Sequence, residues 1–180
     1  MGVIYMKILN FGSLNIDYVY SVDHFVQKGE TISSSQMNIF SGGKGLNQST
    51  ALGCAGAQVF HAGRIGKGGE FLVEQLKEAG VNTDLVVLDS QCSTGHAIIQ
   101  NDAEGDNCIL LYGGANQRIT KEQIDATLDQ FDAGDYLVLQ NETSNLPYLM
   151  EKAAEKQMKI VLNPSPMDEK IKALPLDKVT

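Results

Sequence analysis

Five short apolar runs punctuate the chain: Lys7 to Gly12 (KILNFG), Gln58 to Gly63, Asp84 to Leu88, Asp135 to Gln140 (DYLVLQ) and Lys159 to Leu162. Runs this short and this apolar read as strands of a buried sheet. Helical patterns separate them. Gly43 to Ala55 carries Leu46, Ala51, Cys54 and Ala55 at helical spacing, and further helices are expected from about Gly69 to Ala79 and from about Leu146 to Gln157. Thr120 opens another, with Gln123 placed as in a capping box. Strands alternating with helices predict an α/β fold, a mostly parallel sheet with helices on both faces. At 180 residues and 43% apolar content the chain suits one domain or slightly more.

Two stretches, near residues 17–41 and 94–112, do not fit that sheet. Asp17 to Val22 and Thr31 to Phe40 mix polar and apolar residues in alternation, as half-exposed strands do. His96 to Gln100 and Asn107 to Tyr112 flank the turn-forming Asp102-Ala103-Glu104-Gly105, which predicts a hairpin. Together they read as a small antiparallel β lid over the main sheet. Asn163 to Thr180 holds three prolines and ends on LPLDKVT, a strand just beginning.

A net charge of −8, from 14 Lys plus Arg against 22 Asp plus Glu, disfavours nucleic acid and anionic membranes as partners. Cys54, Cys92 and Cys108 have no close pairing and read as buried free thiols of a reducing compartment. His24, His61 and His96 show no metal-ligand spacing, so no protein-held metal is expected. The opening MGVIYMKILNFG has no long apolar core behind a basic start, and no run approaches a membrane span. Gly2 is followed by Met6 where a myristoylation pattern wants Ser or Thr. The expected compartment is the cytoplasm.

In open α/β sheets ligands bind beyond the carboxyl ends of the strands, and four motifs converge there. Gly12-Ser13-Leu14-Asn15-Ile16-Asp17 follows the first strand. Gly42-Gly43-Lys44-Gly45-Leu46-Asn47 opens the first helix, although glycines cost a helix roughly 1 kcal/mol each against alanine. Gln140-Asn141-Glu142 and Asn163-Pro164 close two later strands. Carboxylates and amides in pairs suit a polyhydroxylated ligand, whose every hydroxyl both donates and accepts. Singly, each residue has a commoner role: Asn15 and Asp17 as turn formers, Glu142 as a solvated residue near a helix start, Lys44 as surface.

With GSLNID, then GGKGLNQST, then a strand ending in QNE, the chain resembles the ribokinase branch of the PfkB carbohydrate kinases. Gly56, Gly66, Ser93-Thr94-Gly95, Gly114-Ala115-Asn116 and Asn163-Pro164 follow in the family's order. The resemblance covers essentially all of residues 1–180 and implies the N-terminal portion of a ribokinase-like fold, the C-terminal part being absent. It implies that Asn15 and Asp17 hold sugar hydroxyls from the base of the lid. Gly42 and Gly43 bring backbone against the sugar, Lys44 and Asn47 add hydrogen bonds, and Glu142 reaches it from the opposite wall. Ala97 and Ile99 form an apolar cover, and the lid pairs with a second subunit's lid in a homodimer.

Such kinases transfer the γ-phosphoryl of ATP, with Mg2+, to a primary hydroxyl of a pentose, ribose above others. The family's catalytic base sits in a Gly-Ala-Gly-Asp motif, which does not occur in this chain, and an Asn-x-x-Glu motif that serves magnesium is expected after the last strand, where none is found. Ala133-Gly134-Asp135 precedes a core strand instead of opening a helix, and is rejected as catalytic. The expectation is therefore a sugar-binding half without ATP-binding or catalytic residues, inactive alone. The alternative is a shortened, non-catalytic sugar-binding or oligomerising remnant. A nucleotide-binding domain of another class is disfavoured, since there is no Walker A pattern and no strand-linked GxGxxG.

Overall fold

The structure, a computed structural model, describes residues 6–180, and the readings of the opening segment that involve Met1 to Tyr5, Gly2 included, lie outside them. In chain order the elements are β1 (Ile8–Phe11), β2 (Asn15–Ser21), β3 (Gln36–Gly42), α1 (Lys44–Cys54), β4 (Val59–Lys67), α2 (Glu70–Glu78) and β5 (Asn82–Ser93). Then come β6 (Gly95–Asn101), β7 (Asn107–Tyr112), a 3-10 turn (Gly114–Arg118), α3 (Lys121–Leu128), β8 (Tyr136–Gln140), α4 (Leu146–Glu155) and β9 (Lys159–Asn163).

The main sheet is wholly parallel, in the order β5-β4-β1-β8-β9. Alternation along β1 sends Leu9 and Phe11 into one core with Leu137, Leu139, Leu149 and Met150, the face covered by α3 and α4. Leu14, Leu46, Val59, Leu72 and Leu76 make a second core under α1 and α2. Each fully buried side chain of this size stabilises the fold by about 1.5–3 kcal/mol. From central β1 the chain builds outward to β4 and β5 on one side, then returns to β8 and β9 on the other. The crevice between the carboxyl ends of β1 and β8 is thus the topological switch point, where α/β sheets bind ligands.

The lid is a second sheet of order β3-β2-β6-β7. Its pairs β2–β3 and β6–β7 are antiparallel and are joined by a parallel pairing of β2 with β6. β3 begins at Gln36 instead of Thr31, because a turn around Gly29 at φ +80° precedes it. Three further expectations are corrected. The Asp84 to Leu88 run lies in the edge strand β5, with Leu88 55% exposed, since only β4 pairs with it. Cys54, at the end of α1, and Cys108, on the exposed strand β7, are surface thiols, whereas burial was expected. Thr120 caps α3 by accepting from Gln123 N, but the Gln123 side chain donates to the Gly63 carbonyl, so only half of the capping box forms. The final LPLDKVT makes a short 3-10 turn and then a parallel bridge from Val179 to Ile160 of β9. Asp135 accepts from the backbone N–H groups of Lys7 and Asp132 at the foot of β8, a structural role at the sheet's opposite end from the switch point.

Candidate functional site

A cleft of ≈ 230 Å³ lies between the switch point and the lid. That is below the roughly 300–1,000 Å³ of drug-sized pockets, and it suits a small ligand. Asn15, Asp17, Gly43, Lys44, Asn47 and Glu142 line it, six of the seven residues expected to do so. Elements far apart in sequence deliver them. Asn15 and Asp17 lie at the start of β2, on one face of the strand. Lys44 and Asn47 occupy the first turn of α1, and Glu142 follows β8.

Gly42 does not line the cleft. A Cβ there would overlap the Asp17 carboxylate, so this glycine makes room for Asp17 rather than for the ligand. Gly43 caps α1 with φ 98°, a left-handed backbone that side chains resist, and a Cβ there would stand 2.7 Å from the Ser13 carbonyl oxygen.

Glu142 knits the floor together. Its carboxylate accepts from Lys44 Nζ at 2.6 Å, from Lys44 N at 3.1 Å and, in a short bond, from Ser13 Oγ. Only 5% of its side chain is exposed, against 39% for Lys44. A carboxylate on the first N–H of α1 is also placed favourably for the helix dipole. Ser13 Oγ accepts in turn from Gly45 N at 3.2 Å. Burial raises the Asp17 carboxyl above its ordinary range and the Glu142 charge adds to this, with Lys44 pulling the other way.

The lid supplies an apolar roof. Ala97 and Ile99 stand two apart on β6, and register places Leu111 and Ile109 of β7 beside them. Sequence reasoning missed Ile109 and Leu111, though pairing across the predicted hairpin turn could have found them. It also missed Ser13 and Asn116, whose contacts cross 129 and 101 residues of chain to Glu142 and Asn15. Among the described residues no group of three or more His, Cys, Asp or Glu converges as a metal site, and no helix is long and apolar enough to cross a membrane.

The model for the pfkB family carbohydrate kinases matches residues 6–177. The chain belongs to that family. It is 34% identical over 175 residues to a ribokinase of Staphylococcus aureus, covering 94% of this chain and 56% of the relative. A deoxyribokinase of Salmonella typhi is 28% identical over 165 residues, covering 89% of this chain and 54% of the relative. The crystal structure of ribokinase from Cryptococcus neoformans in complex with ADP superposes with a TM-score of 0.81 at 34% identity, over 97% of this chain and 55% of that one. The chain spans about half the length of the curated relatives it matches.

Proposed function

We propose that this chain forms the sugar-binding portion of a ribokinase-type kinase, which transfers the γ-phosphoryl of ATP to a primary hydroxyl of a pentose, ribose above deoxyribose. The observation that carries the reading is the convergence of Asn15, Asp17, Lys44, Asn47 and Glu142 on one small cleft under an apolar roof. Asp17, when ionised, accepts from sugar hydroxyls, while Asn15 and Asn47 contribute amides. Glu142 and Lys44 hold each other at the cleft floor, so their charges are fixed before a ligand arrives. Ala97, Ile99, Ile109 and Leu111 cover the sugar and exclude water. The ribokinase relative is the more similar of the two pentose kinases, which favours ribose.

ATP supplies the phosphoryl group, in keeping with the ADP bound to the relative from Cryptococcus neoformans. The nucleotide, magnesium and the catalytic base belong to sequence that this chain does not include. In this reading the protein works in the cytoplasm and dimerises through the lid, where exposed Ile39, Ile98 and Leu110 stand in register on the face away from the cleft. Two assays test these points. Incubated with ribose and ATP-Mg2+, this chain alone gives no ribose phosphate; turnover would overturn the assignment of catalysis to other sequence. In light scattering the chain runs as a dimer that Leu110→Lys dissociates, and a monomer at micromolar concentration would remove the lid contact. A purely binding or oligomerising remnant is the outcome if the gene has no further coding sequence.

A further inference from the structure

Asn116 is 1% exposed, in the 3-10 turn Gly114–Arg118, and contributes no atom to catalysis or to the roles assigned above. Its side-chain amide is nonetheless fully used. Oδ1 accepts from Leu14 N at 3.0 Å, while Nδ2 donates to Leu14 O at 3.2 Å and to Asn15 Oδ1 at 2.8 Å. A backbone N–H can only donate and a carbonyl can only accept. Leu14 therefore admits one orientation of the Asn116 amide, and the remaining Nδ2 proton falls on Asn15.

That bond has a consequence for the cleft. With Oδ1 of Asn15 held toward Asn116, the opposite end of this amide is Nδ2, which is a donor only. Asp17, two residues along the same strand face, is an acceptor only while ionised. Gly95 closes the arrangement from β6, in parallel register with Asn15. A Cβ at Gly95 would collide with both Asn116 Nδ2 and Asn15 Oδ1, so even one carbon there would part them. The three segments meet where β2 and β6 enter the lid.

We infer that Asn116 is a positioning residue that fixes the polarity of sugar recognition: it holds the Asn15 amide as a donor beside the acceptor Asp17, and so makes the cleft demand a hydroxyl that accepts at Asn15. The inference rests on the sugar-site reading given above. It assigns discrimination between hydroxylated and deoxygenated pentoses to a residue that need not touch the sugar.

Calorimetry with ribose and its monodeoxy analogues tests this on the 180-residue chain. In the unsubstituted protein, removing the hydroxyl served by Asn15 weakens binding about tenfold, the worth of one hydrogen bond. In Asn116→Ala the Asn15 amide can turn over, so ribose affinity falls and that one deoxy penalty shrinks toward unity, while penalties at other hydroxyls persist. Asn15→Asp is the second variant. It keeps an oxygen for Asn116 Nδ2, so it folds even if Asn116→Ala does not, yet it presents an acceptor to the cleft in place of the donor. An analogue carrying fluorine for that hydroxyl, which can accept but cannot donate, therefore binds it about tenfold more weakly than it binds the unsubstituted protein. Equal weakening of every sugar by Asn116→Ala, or equal affinity of the fluoro analogue for Asn15→Asp and for the unsubstituted protein, would overturn the positioning role. Absence of ribose binding in the unsubstituted protein would instead overturn the sugar site itself, before any variant is made.

Discussion

Acidification should weaken this fold through one residue, His61. Its ring is fully buried behind the first helix, with Nδ1 2.7 Å from Ser49 Oγ, and Ser49 also accepts from Asn10 Nδ2 at 2.9 Å. Nε2 makes no hydrogen bond of good geometry. Burial pushes the imidazole from its ordinary 6.5 down to about 4, and the nearby Gly12 carbonyl offsets this only in part. In the unfolded chain the ring keeps its ordinary value, so as pH falls the unfolded state takes up the proton first. The stability that neutral His61 confers is therefore complete above pH 6.5 and is lost as pH falls toward 4. At 1.36 kcal/mol per unit the full loss is about 3 kcal/mol, of which about 2 kcal/mol falls between pH 7 and pH 5. In a domain of this size that lowers the melting temperature by roughly 4–8 °C. Urea titrations of the native sequence and of His61→Asn at both pH values isolate the effect, since other titrations are common to the two proteins. The native sequence should lose about 2 kcal/mol more than the variant. Parallel losses would refute the reasoning and mean that His61 is protonated at little cost in the folded state.

Other expectations follow from the cleft. Ribose affinity should fall on acidification, starting above the range of an ordinary aspartate, because the raised Asp17 carboxyl takes up its proton early and stops accepting. That same shift makes protonation of Asp17 slightly favour the folded state, opposite in sign to His61, so binding and stability measured together across pH separate the two groups. Gly42→Ala should drive its methyl into the Asp17 carboxylate, costing about 1–3 kcal/mol in urea denaturation and most of the ribose affinity. Ser13→Ala should leave Glu142 and Gly45 N each one partner short, destabilising by about 1–3 kcal/mol without changing the secondary structure seen by circular dichroism.

The alternation of apolar runs with helical patterns made the parallel sheet legible, because burial on both faces writes a continuous apolar signal into each strand. The lid was legible for the opposite reason, in the period-2 mixture of β2 and the turn residues of β6–β7. Strand order was not: that Asp84 to Leu88 lies at an edge depends on where the chain turns back, which no local pattern records. Of the seven residues expected at the site, six line the cleft, found through motifs whose chemistry is visible in residue type. Ser13 and Asn116 were not, because a serine or an asparagine in a glycine-containing loop reads as a turn former until a distant partner is known. Gly42 was placed in the site, but the group it makes room for is Asp17.

The central claim, that the floor of Asn15, Asp17, Lys44, Asn47 and Glu142 binds a pentose, is tested most directly by titrating ribose into the folded chain in a calorimeter. The account predicts saturable binding at one site per chain, weakened about 10- to 100-fold by Asp17→Asn, the worth of a charged hydrogen bond. A chain that melts cooperatively yet gives no heat with millimolar ribose, or binds it equally well as Asp17→Asn, would contradict it.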